Sequence, residues 1–134
     1  MNRTHLEGAA EALAVQQGYA FHTGPEDGMA HTVRSYPAAW LAPLELHAVE
    51  GRGHGRATYD MTLHLLSSGA RLSPAERRAA LARMEEQLLE IFAAFSLDER
   101  VLAVEGLSVR PRAFALTPHG EISQTAAARI VTFF

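Results

Sequence analysis

Two histidines and several carboxylates alternate along what reads as a single hairpin. Leu44, Leu46 and Ala48 alternate with Glu45, His47 and Val49. Tyr59, Met61, Leu63 and Leu65 alternate with Thr58, Asp60, Thr62 and His64. Successive side chains of a strand point to opposite faces, so this hairpin would carry Glu45, His47, Asp60, Thr62 and His64 on its polar face. Imidazoles and carboxylates gathered on one sheet face could hold zinc or a similar ion. A solvated sheet face has the same alternation, and no HExxH or His-x-His spacing accompanies it. His47, Asp60 and His64 are thus the candidate metal or ligand residues, with a plain polar surface as the other reading. No cofactor is assigned. Nucleophilic chemistry has less to stand on. There is no G-x-S-x-G elbow, and Ser67, Ser68 and Ser73 lie near turns. Absence of cysteine excludes thiol catalysis, disulfides and cysteine-based zinc sites.

The elements that would position these residues can be read outward from the hairpin. Its linker, Gly51-Arg52-Gly53-His54-Gly55, lacks the Lys-Ser/Thr and the strand-to-helix context of a phosphate loop. A type II′ turn at Gly53-His54 predicts the pairs Ala48–Tyr59, Leu46–Met61 and Leu44–Leu63, with His47 opposite Asp60. The apolar faces then match across the hairpin, and the tip presents Arg52, His54 and Arg56 to solvent.

The clearest element is Ser73 to Ser96. Ser73-Pro74-Ala75-Glu76 has the form of a capping box with proline at the first helical position. Leu81, Met84, Leu88, Ile91, Phe92 and Phe95 follow at helical spacing and form one apolar stripe. Arg77, Arg78, Arg83, Glu86 and Glu90 mostly lie off it. A shorter helix is expected over residues 5–17, with Leu6, Ala9, Ala10 and Leu13 on its inner face and Gly18 as its stop. Tyr19 to His22 reads as a short strand, 23–28 as a loop and 30–36 as a strand. Residues 38–43 are ambiguous, and Pro43 argues against a central strand there. Strands are expected from Val101 to Pro111, around Phe114 and Leu116, and from Glu121 to Phe134. The last has small or apolar residues on both faces, which fits an internal strand or a subunit interface. The expected class is α+β in one domain: a mainly antiparallel sheet with a long hairpin, and a central helix and a shorter N-terminal helix on one face.

A chain of 134 residues, 48% hydrophobic and 20% charged, is ordinary for one globular domain. The net charge of −3 lacks the basic balance that nucleic-acid binding would want. The apolar runs are too short to span a bilayer and no leader is apparent, so a cytoplasmic location without membrane or nucleic-acid partners is expected. All 12 basic residues are arginine, which fits either a GC-rich genome or an arginine-served interface.

From Tyr59 to Phe134 the chain resembles the tail-terminator and tail-completion proteins of tailed phages, the class of lambda-like minor tail protein U. YDMTLHLL precedes the helix, RVLAVEGLSVRP follows it and LTPHGEISQTAAARIVTFF closes the chain. The resemblance lies in the order of elements and transfers no functional residue. It implies a structural subunit, not an enzyme, forming homo-oligomeric rings, commonly hexameric. The implied partners are tail-tube or connector proteins and the implied source a prophage, with the subunit cytoplasmic until virion assembly. Rings need two different patches per subunit. The candidate patches are the tip (Arg52, His54, Arg56), the main helix (Arg77, Arg78) and the last strand (Ile130, Phe133, Phe134).

Overall fold

The computed structural model describes residues 2–112 and 115–134. The elements run α1 (Asn2–Gln16), β1 (Ala20–Thr23), a 3₁₀ turn (Glu26–Gly28), α2 (Met29–Thr32), β2 (Ala38–Leu41), β3 (Glu45–Arg52), β4 (His54–Ser67), α3 (Pro74–Ser96), β5 (Val101–Pro111) and β6 (Ile122–Phe133). The class is α+β. Six strands form one sheet in the order β1-β2-β4-β6-β5, and β3 pairs with β4 beside β2. Only β1–β2 is parallel; the other described pairs are antiparallel.

The capping box forms as its spacing predicts. Glu76 N donates to Ser73 Oγ and Ser73 N to Glu76 Oε1, both at 3.1 Å. The buried stripe of α3 is Ala80, Met84, Leu88, Ile91, Phe92 and Phe95. Leu81 is only partly buried, and Ala80 is buried in its stead. α1 contributes Leu6, Ala10 and Ala14 to the same core and ends before Gly18, whose φ of +92° suits glycine. Three polar contacts join the two helices and their flanks: His5 with Asp98, Gln17 with Glu90, and Tyr19 Oη donating to Gln87. Met61, Leu63, Leu65, Ile122, Ala126, Ala128 and Ile130 supply the sheet side of this core.

The opposite sheet face is covered at one end only. Met29, Val33, Ala38, Trp40 and Leu66 form a small second core there. Residues 30–36 are therefore not a strand. Met29–Thr32 make one helical turn, because Met29 and Val33 must reach back onto Trp40 and Leu66. Residues 38–41 are a fully buried strand that stops before Pro43, so the proline sits outside the ladder. Ile130 is fully buried beneath the helices, which removes it as an interface residue; Phe133 and Phe134 remain about half exposed. The strand expected around Phe114 falls partly outside the described residues, and Leu116 lies in a bend.

The hairpin register also differs from the predicted one. Val49 pairs with Ala57, Ala48 with Thr58, Leu46 with Tyr59 and Glu45 with Asp60, with a bulge between Leu46 and Ala48. A single glycine, Gly53, lies between the paired residues Arg52 and His54. The expected burial of Leu46 fails with the register: Leu46 is 51% exposed and Val49 54%. The ladder between β4 and β6 runs from Arg56–Phe133 to Ser67–Ile122 and fixes β4 independently of its turn. The tip itself buries little, so it does not constrain its own register.

Candidate functional site

His64 lies at the centre of the sheet, with Trp40 on β2 to one side and Thr125 on β6 to the other. Alternation along β4 puts it on the partly open face with Asp60 and Thr62, as the sequence predicts. It is nonetheless only 1% exposed, because the segment carrying Glu26 and α2 closes over that end. His64 Nδ1 is 2.7 Å from Thr125 Oγ1. His64 Nε2 is 3.4 Å from Glu26 Oε2, near enough for charge interaction, but it is not aligned as a hydrogen bond, and among the described residues it has no other polar partner. The same Glu26 oxygen lies 3.8 Å from Arg112 Nη2. A carboxylate facing Nε2 favours a proton on that nitrogen, leaving Nδ1 to accept from the Thr125 hydroxyl. Burial lowers the imidazole pKa and outweighs the opposing pull of the Glu26 carboxylate; Arg112 lowers it further. The imidazole thus bonds to the Thr125 hydroxyl on one side and faces the Glu26 carboxylate at 3.4 Å on the other.

His47 and Asp60 meet although the predicted register fails. The bulge swings His47 so that Nδ1 is 3.5 Å from Asp60 Oδ2, while Arg129 Nε lies 3.4 Å from Asp60 Oδ1. Asp60 is therefore engaged on both oxygens by groups that carry or can carry positive charge. His64 interacts instead with Glu26 and Thr125, two repeats of the alternation further along the strand. The proposed His47, Asp60 and His64 grouping is thus divided between two sites. Among the described residues no three His, Asp or Glu side chains are placed to share a metal ion.

The uncovered part of this face is a run of shallow hollows. One is lined by Glu26, Glu45, Asp60 and Thr62 with Ala42 and Pro43. The next shares Asp60 and adds Glu105, Ser108, Ala127 and Arg129, and a third continues to Arg110, Arg112 and Thr125. Its charged lining runs from carboxylates in the first hollow, through a mixed second, to arginines in the third.

The other surfaces named from sequence are exposed. Arg52, His54 and Arg56 stand at the hairpin tip, and Arg77 and Arg78 on the outer side of α3; among the described residues none of them makes an ion pair. Phe134 extends the sheet by pairing with Gly55 in both directions, N to O at 3.0 and 3.2 Å. Any side chain at Gly55 would collide with the Glu50 carbonyl oxygen and the Phe134 ring.

Sequence reasoning missed Glu26 and Thr125. Glu26 stands in a turn-forming stretch with no periodicity, and only the fold brings it 38 positions from His64 in sequence into contact with it. Thr125 is legible as a face of the last strand but not as a histidine partner. No helix among the described residues is long and apolar enough to cross a membrane. No protein-family model matches the chain, and no curated protein matches it.

Proposed function

We propose that this chain is a non-enzymatic structural subunit that assembles with copies of itself, of the kind formed by phage tail terminators and tail-completion proteins. The observation that carries the reading is the arm. β3 and the start of β4 form a hairpin that neither α1 nor α3 covers substantially, and seven of the eight β3 residues are exposed. An arm with arginines at its tip and half-exposed Leu46 and Val49 along it is a surface suited to a protein partner. The order of a strand, a long capped helix and two closing strands after Tyr59 supports the same reading. Tail-tube or connector proteins are the partners it implies, and the cytoplasm before virion assembly is the location. Native mass spectrometry over a concentration series, with electron microscopy of the largest species, tests it. Closed rings are the expected result; a monomer at every concentration, alone and mixed with tail-tube protein, would sink it.

One observation favours a second reading, a small ligand-binding module or enzyme on the open sheet face. The His64–Thr125 bond, with Glu26 facing the other ring nitrogen and the hollow containing Arg110 and Arg112 beside it, could serve a proton transfer at the Thr125 hydroxyl. Screening hydrolysis of carboxylic and phosphoric esters with the wild type and His64→Gln tests this. Turnover that survives the substitution would dismiss it.

A further inference from the structure

We infer that the outer edge of β3 pairs antiparallel with the β3 edge of a second copy, about a two-fold axis at Val49. Among the described residues the sheet has three outer edges, and they differ in protection. β1 is only four residues long, while β5 carries two register irregularities and ends at Pro111. Shortness, bulges and proline are the usual guards of an edge. β3 is eight residues long, has no proline, and among the described residues pairs only with β4. It has one bulge, and that bulge sets its faces. Leu46 opposes Tyr59 and Val49 opposes Ala57, so both lie on the helix side of the sheet. Glu45, Ala48, Glu50 and Arg52 lie on the other side.

A two-fold axis perpendicular to the sheet must pair residues that share a face. With Val49 on the axis, Val49 meets Val49 of the second copy, and Glu50 lies opposite Ala48. Gly51 then meets Leu46, the bulge taking up His47, and Arg52 meets Glu45. Every pair matches in face. The contact joins two half-exposed valines, lays each leucine over a glycine with no side chain in its way, and forms the Arg52–Glu45 ion pair twice. Each bulged His47 also falls beside the second copy's Glu50. Opposite charges directly across antiparallel strands are stabilising and like charges destabilising, so the strand's own charge order selects a second copy as its occupant. The contact is isologous: it closes on two copies and does not depend on ring formation.

Light scattering over a concentration series reads the pairing. Wild type is expected to dimerise. Arg52→Glu alone and Glu45→Arg alone each place like charges opposite at both ends, and each should weaken the dimer by roughly ten- to a hundredfold. The double variant Glu45→Arg/Arg52→Glu should restore it. Because the chain has no cysteine, Val49→Cys gives an independent readout: mild oxidation should link two copies, and Arg56→Cys, on the inner strand, should not link them. A monomer up to about 1 mM would overturn the pairing, while the ring reading would still be decided by the mixture with tail-tube protein. Assembly that survives Arg52→Glu and Val49→Arg, or Val49→Cys that links no faster than Arg56→Cys, would overturn the pairing and leave the ring reading standing. The positions substituted are exposed, so melting temperature should stay near that of wild type in every arm.

Discussion

The covering of Trp40 and His64 by residues 24–33 holds the imidazole below its ordinary pKa of 6.5, with burial as the main cause. The unfolded chain takes up that proton near pH 6.5, while the folded chain resists it until lower pH. Between those values the unfolded state binds more protons, so stability falls as the pH drops through this window. His64→Gln removes the group that titrates. Urea midpoints at pH 7.5, 6.5 and 5.5 should therefore decline less steeply in the variant than in wild type; parallel declines would mean that another group sets the slope. The carboxylates act in a separate, lower window. Asp98 is held below 3.8 although its burial pushes upward, because the Arg100 N–H and His5 bond to it. Its contribution is present above that value and is lost only at lower pH. Thr125→Val tests the hydroxyl alone. It leaves Nδ1 buried without a partner, and should cost about 1–3 kcal/mol, read as a shift in urea midpoint.

At the scale of elements, what could be read in the sequence depended on whether the signal was local. Ser73→Ala should cost about 1 kcal/mol, or a melting shift of roughly 3 °C, since both capping-box bonds form as the S-x-x-E spacing predicts. Arg77 and Arg78 lie close behind that cap, where positive charge opposes the helix dipole. Arg77→Glu/Arg78→Glu should therefore leave the fold as stable as wild type, or slightly more so, by thermal melting. A large loss would mean that the arginines hold the fold. α3 was legible because capping and a 3.6-residue stripe are properties of adjacent residues. The alternation of β4 was legible for the same reason. The hairpin register was not: three glycines admit several turns, and the bulge at His47 depends on Asp60 and the β4–β6 ladder, not on the tip. The Met29–Thr32 turn was hidden likewise, since what bends Val33 inward is Trp40 across the sheet. His64 read correctly as a polar-face residue, but its burial could not be seen without knowing that residues 24–33 cover it.

At the scale of the whole molecule, two kinds of contact have different arithmetic. A ring is heterologous, each subunit offering one patch and receiving another, and its copy number is set by the angle between them. Edge pairing through β3 is isologous and doubles whatever it joins. If both operate, the complete assembly contains an even number of copies, made of two rings or of a ring of dimers. The substitutions separate the two contacts because they lie far apart on the fold, Val49 on the hairpin arm and Arg77 and Arg78 on the outer side of α3. Native mass spectrometry of Val49→Arg should show the largest species at half the mass of wild type, with like charges facing each other at the two-fold axis. Arg77→Glu/Arg78→Glu should instead leave a dimer as the largest species if those arginines serve the ring. A wild-type assembly with an odd number of copies would exclude the doubling outright, whatever holds the ring together. Loss of all association in both variants would mean that one extended surface, reaching from the arm to α3, carries the whole contact.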